Sequence, residues 1–190
     1  MLNIYDIYIG TENNMTDEFL ISEMRNLKLR LLSDDIQFEP NEKHLKSEIL
    51  DFIKSNFKDD IISGSLSLSI FGLLDRKLND IDILIKDKNR YPSYIKSMYG
   101  DDMEDILAPN RLGVIEFRHK TGFFSPTRTY NVDFFEYKGS TYIDFNGIKL
   151  HNPIEIISYK LNMALSTKNI SSSRKHRQDL VNLFNFISKM

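Results

Sequence analysis

The 190-residue sequence predicts an α+β fold: a small mixed β-sheet of about five strands with helices packed on it, and further helices flanking it at both ends. Three observations predict this. Apolar residues recur at helical spacing towards both ends of the chain, strand-like runs cluster between Ile61 and Leu150, and the length supports one good hydrophobic core with at most a small helical appendage.

Taken in order, Asn3 to Gly10 has the β-branched and aromatic content of a short edge strand. Thr16 followed by Asp17 and Glu18 opens a helix, along which Leu20, Met24, Leu27 and Leu31 share one face. After Pro40, the stretch Glu42 to Phe57 places Leu45, Ile49, Ile53 and Phe57 on one side of a second amphipathic helix. A short apolar run at Ile61-Ile62 then meets a Ser-Gly-Ser turn, an expected helix from Leu66 to Leu74, and a strand from Asp80 to Ile85. Ser93 to Leu107 reads as a helix with a solvated acidic face at Asp101, Asp102, Glu104 and Asp105. Val114 to Lys120 and Thr129 to Tyr137 read as a long hairpin around a loop holding Gly122 and Pro126, and a further short strand is expected near Thr141 to Leu150. Asn152-Pro153 opens a helix running to about Ser166, Thr167 to Ser173 is a polar loop, and a last helix spans about Arg174 to Lys189. The expected organisation is therefore a strand and helices over 1–58, a core over 59–150 and a helical hairpin over 151–190.

Composition narrows the function classes. Hydrophobic residues at 41% and charged residues at 27% are ordinary globular usage, which argues against a disordered or fibrous chain. With 25 basic against 27 acidic residues there is no global attraction to nucleic acid, so any such binding needs a local patch. The absence of cysteine rules out disulfides and thiolate metal sites. The polar start and the lack of an apolar run of spanning length lead to the expectation of a cytosolic protein with no membrane partner. The four histidines, at 44, 119, 151 and 176, lack metal-ligand spacing, and neither a Ser/His/Asp arrangement nor a Walker-type loop is evident.

The chemistry concentrates between Ile61 and Ile85. In Asp80-Ile81-Asp82-Ile83, strand alternation sends both carboxylates to one face and both isoleucines to the other. Two such carboxylates can share a hard cation, and magnesium takes oxygen ligands while leaving room for substrate phosphates. The competing reading is a strand with a merely solvated face. Ser63-Gly64-Ser65 ahead of a helix adds a glycine that lets backbone approach a phosphate and hydroxyls that can donate to it.

Ser63-Gly64-Ser65, then Phe71-Gly72 and Arg76, then Asn79-Asp80-Ile81-Asp82-Ile83 together resemble the signature of the DNA polymerase β-like nucleotidyltransferase superfamily. The resemblance implies a nucleotidyltransferase fold in which Gly64 and Ser65 hold the triphosphate, Asp80 and Asp82 bind two magnesium ions (or manganese), and a later strand supplies a third carboxylate. The natural match is Asp133 in Tyr130-Asn131-Val132-Asp133-Phe134-Phe135, since an acid among apolar strand residues is costly to bury unless paired or metal-bound; Glu116 and Glu136 are its rivals. Further on, Leu150-His151-Asn152-Pro153-Ile154-Glu155, Lys160, Ala164, Arg174, Lys175, Arg177 and Asp179 resemble the tail of bacterial toxin, abortive-infection and antibiotic-modifying nucleotidyltransferases. There the helical lysine and the later acid help hold the nucleotide, which implies that role for Lys160 and Asp179 in a C-terminal hairpin closing the nucleotide site. Because the chain reads His176-Arg177-Gln178-Asp179, several basic residues can align, and Arg174, Lys175 and Arg177 could instead face RNA.

The resemblance thus implies an enzyme that moves a nucleoside monophosphate from an NTP to an acceptor hydroxyl on a tRNA end, a protein or a small molecule, releasing pyrophosphate, with a toxin-like or phage–host conflict role and a protein partner in view. The other readings are a catalytically silent binding or antitoxin-like module, and a structural protein carrying the motif by coincidence.

Overall fold

The computed structural model describes residues 16–45, 47–75, 78, 80–87, 106–109, 115–118, 123–125, 128–166 and 170–190. The strand expected over Asn3 to Gly10 and the acidic run at 101–105 lie outside them.

Helix α1 spans Asp17–Leu32, and Thr16 caps it by accepting the Phe19 amide at 3.2 Å. Leu20, Met24 and Leu27 are buried along it, while Leu31 is only half-buried at its end. The expected helix from Glu42 to Phe57 divides into a single 3-10 turn, Glu42–His44, and helix α2, Ser47–Phe57. Leu45 lies between them in extended backbone (φ -120°, ψ 123°), so its side chain still reaches the core without belonging to a helix.

Strand β1, Ile61–Ser63, runs directly into helix α3, Gly64–Ile70. This helix ends before the expected Leu74. Gly72 takes a left-handed φ of +70°, its amide bonds to the Ser69 carbonyl and the Leu73 amide to the Leu68 carbonyl, which closes the helix in a Schellman-type turn. Strand β2, Asp80–Ile85, follows with the expected alternation: Ile81, Ile83 and Ile85 are buried, and Asp80, Asp82 and Leu84 are half-buried on the other face.

Strands β3 (Ile106–Pro109), β4 (Ile115–Arg118), β5 (Phe123–Ser125) and β6 (Arg128–Glu136) come next. Ile106 and Leu107 thus belong to a strand, not to a helix end. The loop of the expected hairpin holds a strand of its own, because β5 folds back on the start of β6 while β4 pairs further along it. The region 141–150, expected as one strand, forms two, β7 (Tyr142–Phe145) and β8 (Ile148–His151). Asn146 (φ 49°) and Gly147 (φ 79°) sit between them, the left-handed pair that a two-residue type I′ hairpin needs.

The sheet is mixed, with the order β3-β4-β6-β2-β1-β8-β7. β1 is antiparallel to β2 and parallel to β8, and β2 is parallel to β6, so the first two strands occupy the centre and their sequence-distant partners flank them. Helix α3 packs on β1, β2 and β8. Ile81, Ile83, Val132, Phe134, Ile148 and Leu150 make the apolar strand positions of this core, and the Phe57 ring meets Phe134 at 5.7 Å between centroids. The fold is α+β, as its sequence pattern predicts.

Helix α4, Pro153–Leu165, starts on the Asn152 cap, whose side chain accepts the Ile154 amide at 2.9 Å. Helix α5, Ile170–Ile187, begins four residues before the expected Arg174, and the Ser173 hydroxyl donates to the Ala164 carbonyl. Two compact units emerge: residues 40–155 hold the sheet with α2 and α3, and residues 1–39 with 156–190 hold α1, most of α4 and α5. Within the second unit Leu180, Val181, Leu183, Phe184 and Ile187 are buried along α5. Among the described residues no helix is long and apolar enough to cross a membrane.

Candidate metal centre

β2 and β6 are parallel neighbours in a register that sets Asp82 beside Asp133 and Asp80 beside Asn131. Register partners on adjacent strands project to the same face of a sheet, so Asp80, Asp82 and Asp133 converge. One carboxylate oxygen from each lies within 4.8 Å of the others, and no other such group of acids and histidines occurs among the described residues. Asp133 is 7% exposed, the only one of the three that is fully buried. Its neighbours Val132 and Phe134 point the other way into the core. The same alternation removes one rival: Glu136 lies three positions on, in phase with Val132 and Phe134, and so faces away from the cluster. The Glu116 side chain lies outside the described residues.

Three carboxylates this close repel by a few kcal/mol for each ionised pair at the effective dielectric of a half-buried site. A cation among them offsets that repulsion. The donor set is all hard oxygen, the ligand type of magnesium and calcium, and its atoms all lie within 4.8 Å of one another. The three aspartates could therefore hold a metal ion.

Gly64 explains why the turn before α3 belongs to this site. Its φ is +61°, and a Cβ built on it would stand 1.5 Å from Asp82 Oδ2. No other residue fits without moving that carboxylate. Gly64→Ala is expected to cost about 1–2 kcal/mol for the left-handed backbone and to swing Asp82 out of the cluster. Urea unfolding together with a Mn2+ titration checks this; an alanine variant with wild-type metal affinity would show that Asp82 tolerates the intrusion. Ser65, next in the turn, is 5% exposed. Arg76 and Asn79 lie outside the described residues.

The sequence shows no Ser/His/acid arrangement, yet the structure assembles one across the sheet. Ser63 Oγ lies 2.7 Å from His151 Nδ1, and His151 Nε2 lies 3.0 Å from Glu155 Oε2. Glu155 Oε1 in turn accepts from the Thr141 hydroxyl at 2.5 Å and the Thr141 amide at 3.0 Å. Burial pushes the His151 pKa below its ordinary 6.5, outweighing the nearby Glu155 carboxylate. For Glu155, partial desolvation acts upward, but the bonds from Thr141 and His151 prevail and leave it below its ordinary 4.5. Both native pKa values are thus depressed. The contribution is complete above 6.5; as pH falls below that, the unfolded chain takes up the histidine proton first and stability declines, with a second loss below 4.5. The melting temperature should fall along both limbs, and His151→Asn should flatten the upper one. An upper limb unchanged in that variant would assign the loss to other groups.

Lys160 and Asp179 meet in the unit of α4 and α5. Lys160 Nζ donates to Asp179 Oδ2 at 2.7 Å, and each residue is 4% exposed. Both charges are therefore engaged with each other inside that unit.

No family model matches the chain, and no curated protein matches it. Among solved structures it is similar to JHP933 from Helicobacter pylori, with 21% identity, a TM-score of 0.47, and coverage of 80% of this chain and 68% of that one.

Proposed function

We propose that the protein is a metal-dependent nucleotidyltransferase that moves a nucleoside monophosphate from an NTP to an acceptor hydroxyl and releases pyrophosphate. The observation that carries this reading is the convergence of Asp80, Asp82 and Asp133 from two parallel strands, with Gly64 closed against Asp82. It agrees with the resemblance of the Ser63-to-Ile83 signature to the polymerase β-like superfamily.

In this reading Asp80, Asp82 and Asp133 hold divalent metal, magnesium by choice of ligand. Bound metal supplies positive charge to the triphosphate and acidifies the acceptor hydroxyl. The acceptor oxygen forms its bond to the α-phosphorus as the bond to pyrophosphate breaks, and Asp133, where it does not serve as the third metal ligand, takes the hydroxyl proton as base. Gly64 and Ser65 lie at the triphosphate, Gly64 because its missing side chain leaves room beside Asp82. Lys160 and Asp179 keep a nucleotide role only as the resemblance implies it. The acceptor is an RNA end, a protein side chain or a small molecule, which the labelling below distinguishes.

The test offers each of the four α-labelled NTPs with magnesium and a total cell extract, and identifies the labelled species. Label on a defined acceptor, dependent on magnesium, is the expected result. Metal binding without transfer to any acceptor would favour a silent binding or antitoxin-like module.

A further inference from the structure

Ser63 stands at the N-cap of α3, where a serine hydroxyl ordinarily accepts an amide of the first turn. Here it makes no such bond. Its hydroxyl turns to His151 at the end of β8, while the Ser67 hydroxyl, one turn into α3, donates to the His151 carbonyl at 3.1 Å. One residue thus grips the start of this seven-residue helix twice, by side chain and by backbone. A helix so short has little stability of its own, so its position is set by what it is tied to.

The direction of these bonds follows from Glu155. A carboxylate only accepts, so His151 Nε2 carries the proton, the neutral ring's Nδ1 is an acceptor, and Ser63 donates to it. Glu155 is itself fixed by Thr141, which makes a continuous chain from the start of β7 to β1. Ser63 is the register partner of Asp82 across β1 and β2, and the next residue, Gly64, has no room to shift towards Asp82. Ser63 and His151 are 8% and 9% exposed, so their bonds are made largely out of water, where a satisfied polar network fixes the position of its members.

We propose that His151, oriented by Glu155, is a positioning residue for the acid cluster: by holding Ser63 and Ser67 it fixes the turn at Gly64 and thereby the place of the Asp82 carboxylate. This rests on the reading of Asp80, Asp82 and Asp133 as metal ligands, not on the transfer reaction.

The test is calorimetric titration of the full chain with Mn2+ alone, with melting curves recorded in parallel. The amide of asparagine reaches the position of imidazole Nδ1 and that of glutamine the position of Nε2, so His151→Asn keeps the bond to Ser63 and His151→Gln keeps only the bond to Glu155. His151→Gln should bind Mn2+ about tenfold more weakly, the scale of losing a partner that orients metal ligands. His151→Asn should stay close to wild type. Ser63→Ala removes the hydroxyl alone and should reproduce the glutamine loss should His151→Gln fail to fold. Wild-type Mn2+ affinity in His151→Gln or Ser63→Ala, with Asp82→Asn deficient, overturns this inference and leaves the metal reading standing. Wild-type affinity in Asp82→Asn overturns both.

Discussion

Asp82→Asn is expected to lower the proposed metal-dependent nucleotidyl transfer by about a thousandfold or more, the several kcal/mol that a correctly held metal contributes to such a reaction. Asparagine keeps the size and one oxygen but removes the charge, so the sheet loses little. Asp82 is half-buried on the face opposite the isoleucines, and its backbone pairing to β1 and β6 is unaffected by the exchange. Stability should even rise slightly in metal-free buffer, because one member of a mutually repelling trio is gone. The combination of lost transfer, lost Mn2+ binding and an equal or higher melting temperature is what distinguishes a metal ligand from a structural acid. A variant that loses activity and stability together would instead make Asp82 part of the framework. Asp80→Asn should behave alike.

Lys160→Met is expected to destabilise the chain by about 3 kcal/mol, the lower part of the range for removing one member of a buried ion pair. Methionine keeps the unbranched apolar stem of lysine and lacks only its terminal nitrogen, so the loss chiefly reports the ammonium facing Asp179 at 2.7 Å. With both residues 4% exposed, removing Lys160 takes a counter-charge in direct contact from Asp179 in low dielectric. The double variant Lys160→Met/Asp179→Leu should recover most of the loss. Urea midpoints of the two single variants and the double one form the cycle. Additive single effects would mean that the two groups act independently despite their contact.

The features legible from the sequence were those encoded locally. The alternation of Asp80-Ile81-Asp82-Ile83, the Thr16 cap and the Asn152-Pro153 opening each contain their structural cause within a few residues. Asp133 was legible for a different reason, since an acid between Val132 and Phe134 demands compensation wherever the strand lies. The Asn146-Gly147 pair is also a local signal, and it marks the hairpin that a single-strand reading of 141–150 overlooks. The end of α3 at Ile70 likewise answers to Gly72. Ser63, His151 and Glu155 belong to another class. The two ends of the Ser63–His151 bond are 88 positions apart and meet because β1 and β8 pair in parallel, which no window along the chain can reveal.

The parallel pairing of β2 with β6 has a kinetic consequence. Its two strands are separated by a long excursion through β3, β4 and β5, so it closes late and slowly compared with hairpins such as β7–β8. A slip of β6 by one residue during that search would present Val132 or Phe134 to Asp82 and bury Asp133 among the isoleucines. The wrong register would thus be penalised by a stranded charge, and a divalent ion held as proposed by the three acids would favour the right one. Refolding of this protein should consequently be faster, with less aggregation, when magnesium is supplied from the start than when it is added afterwards.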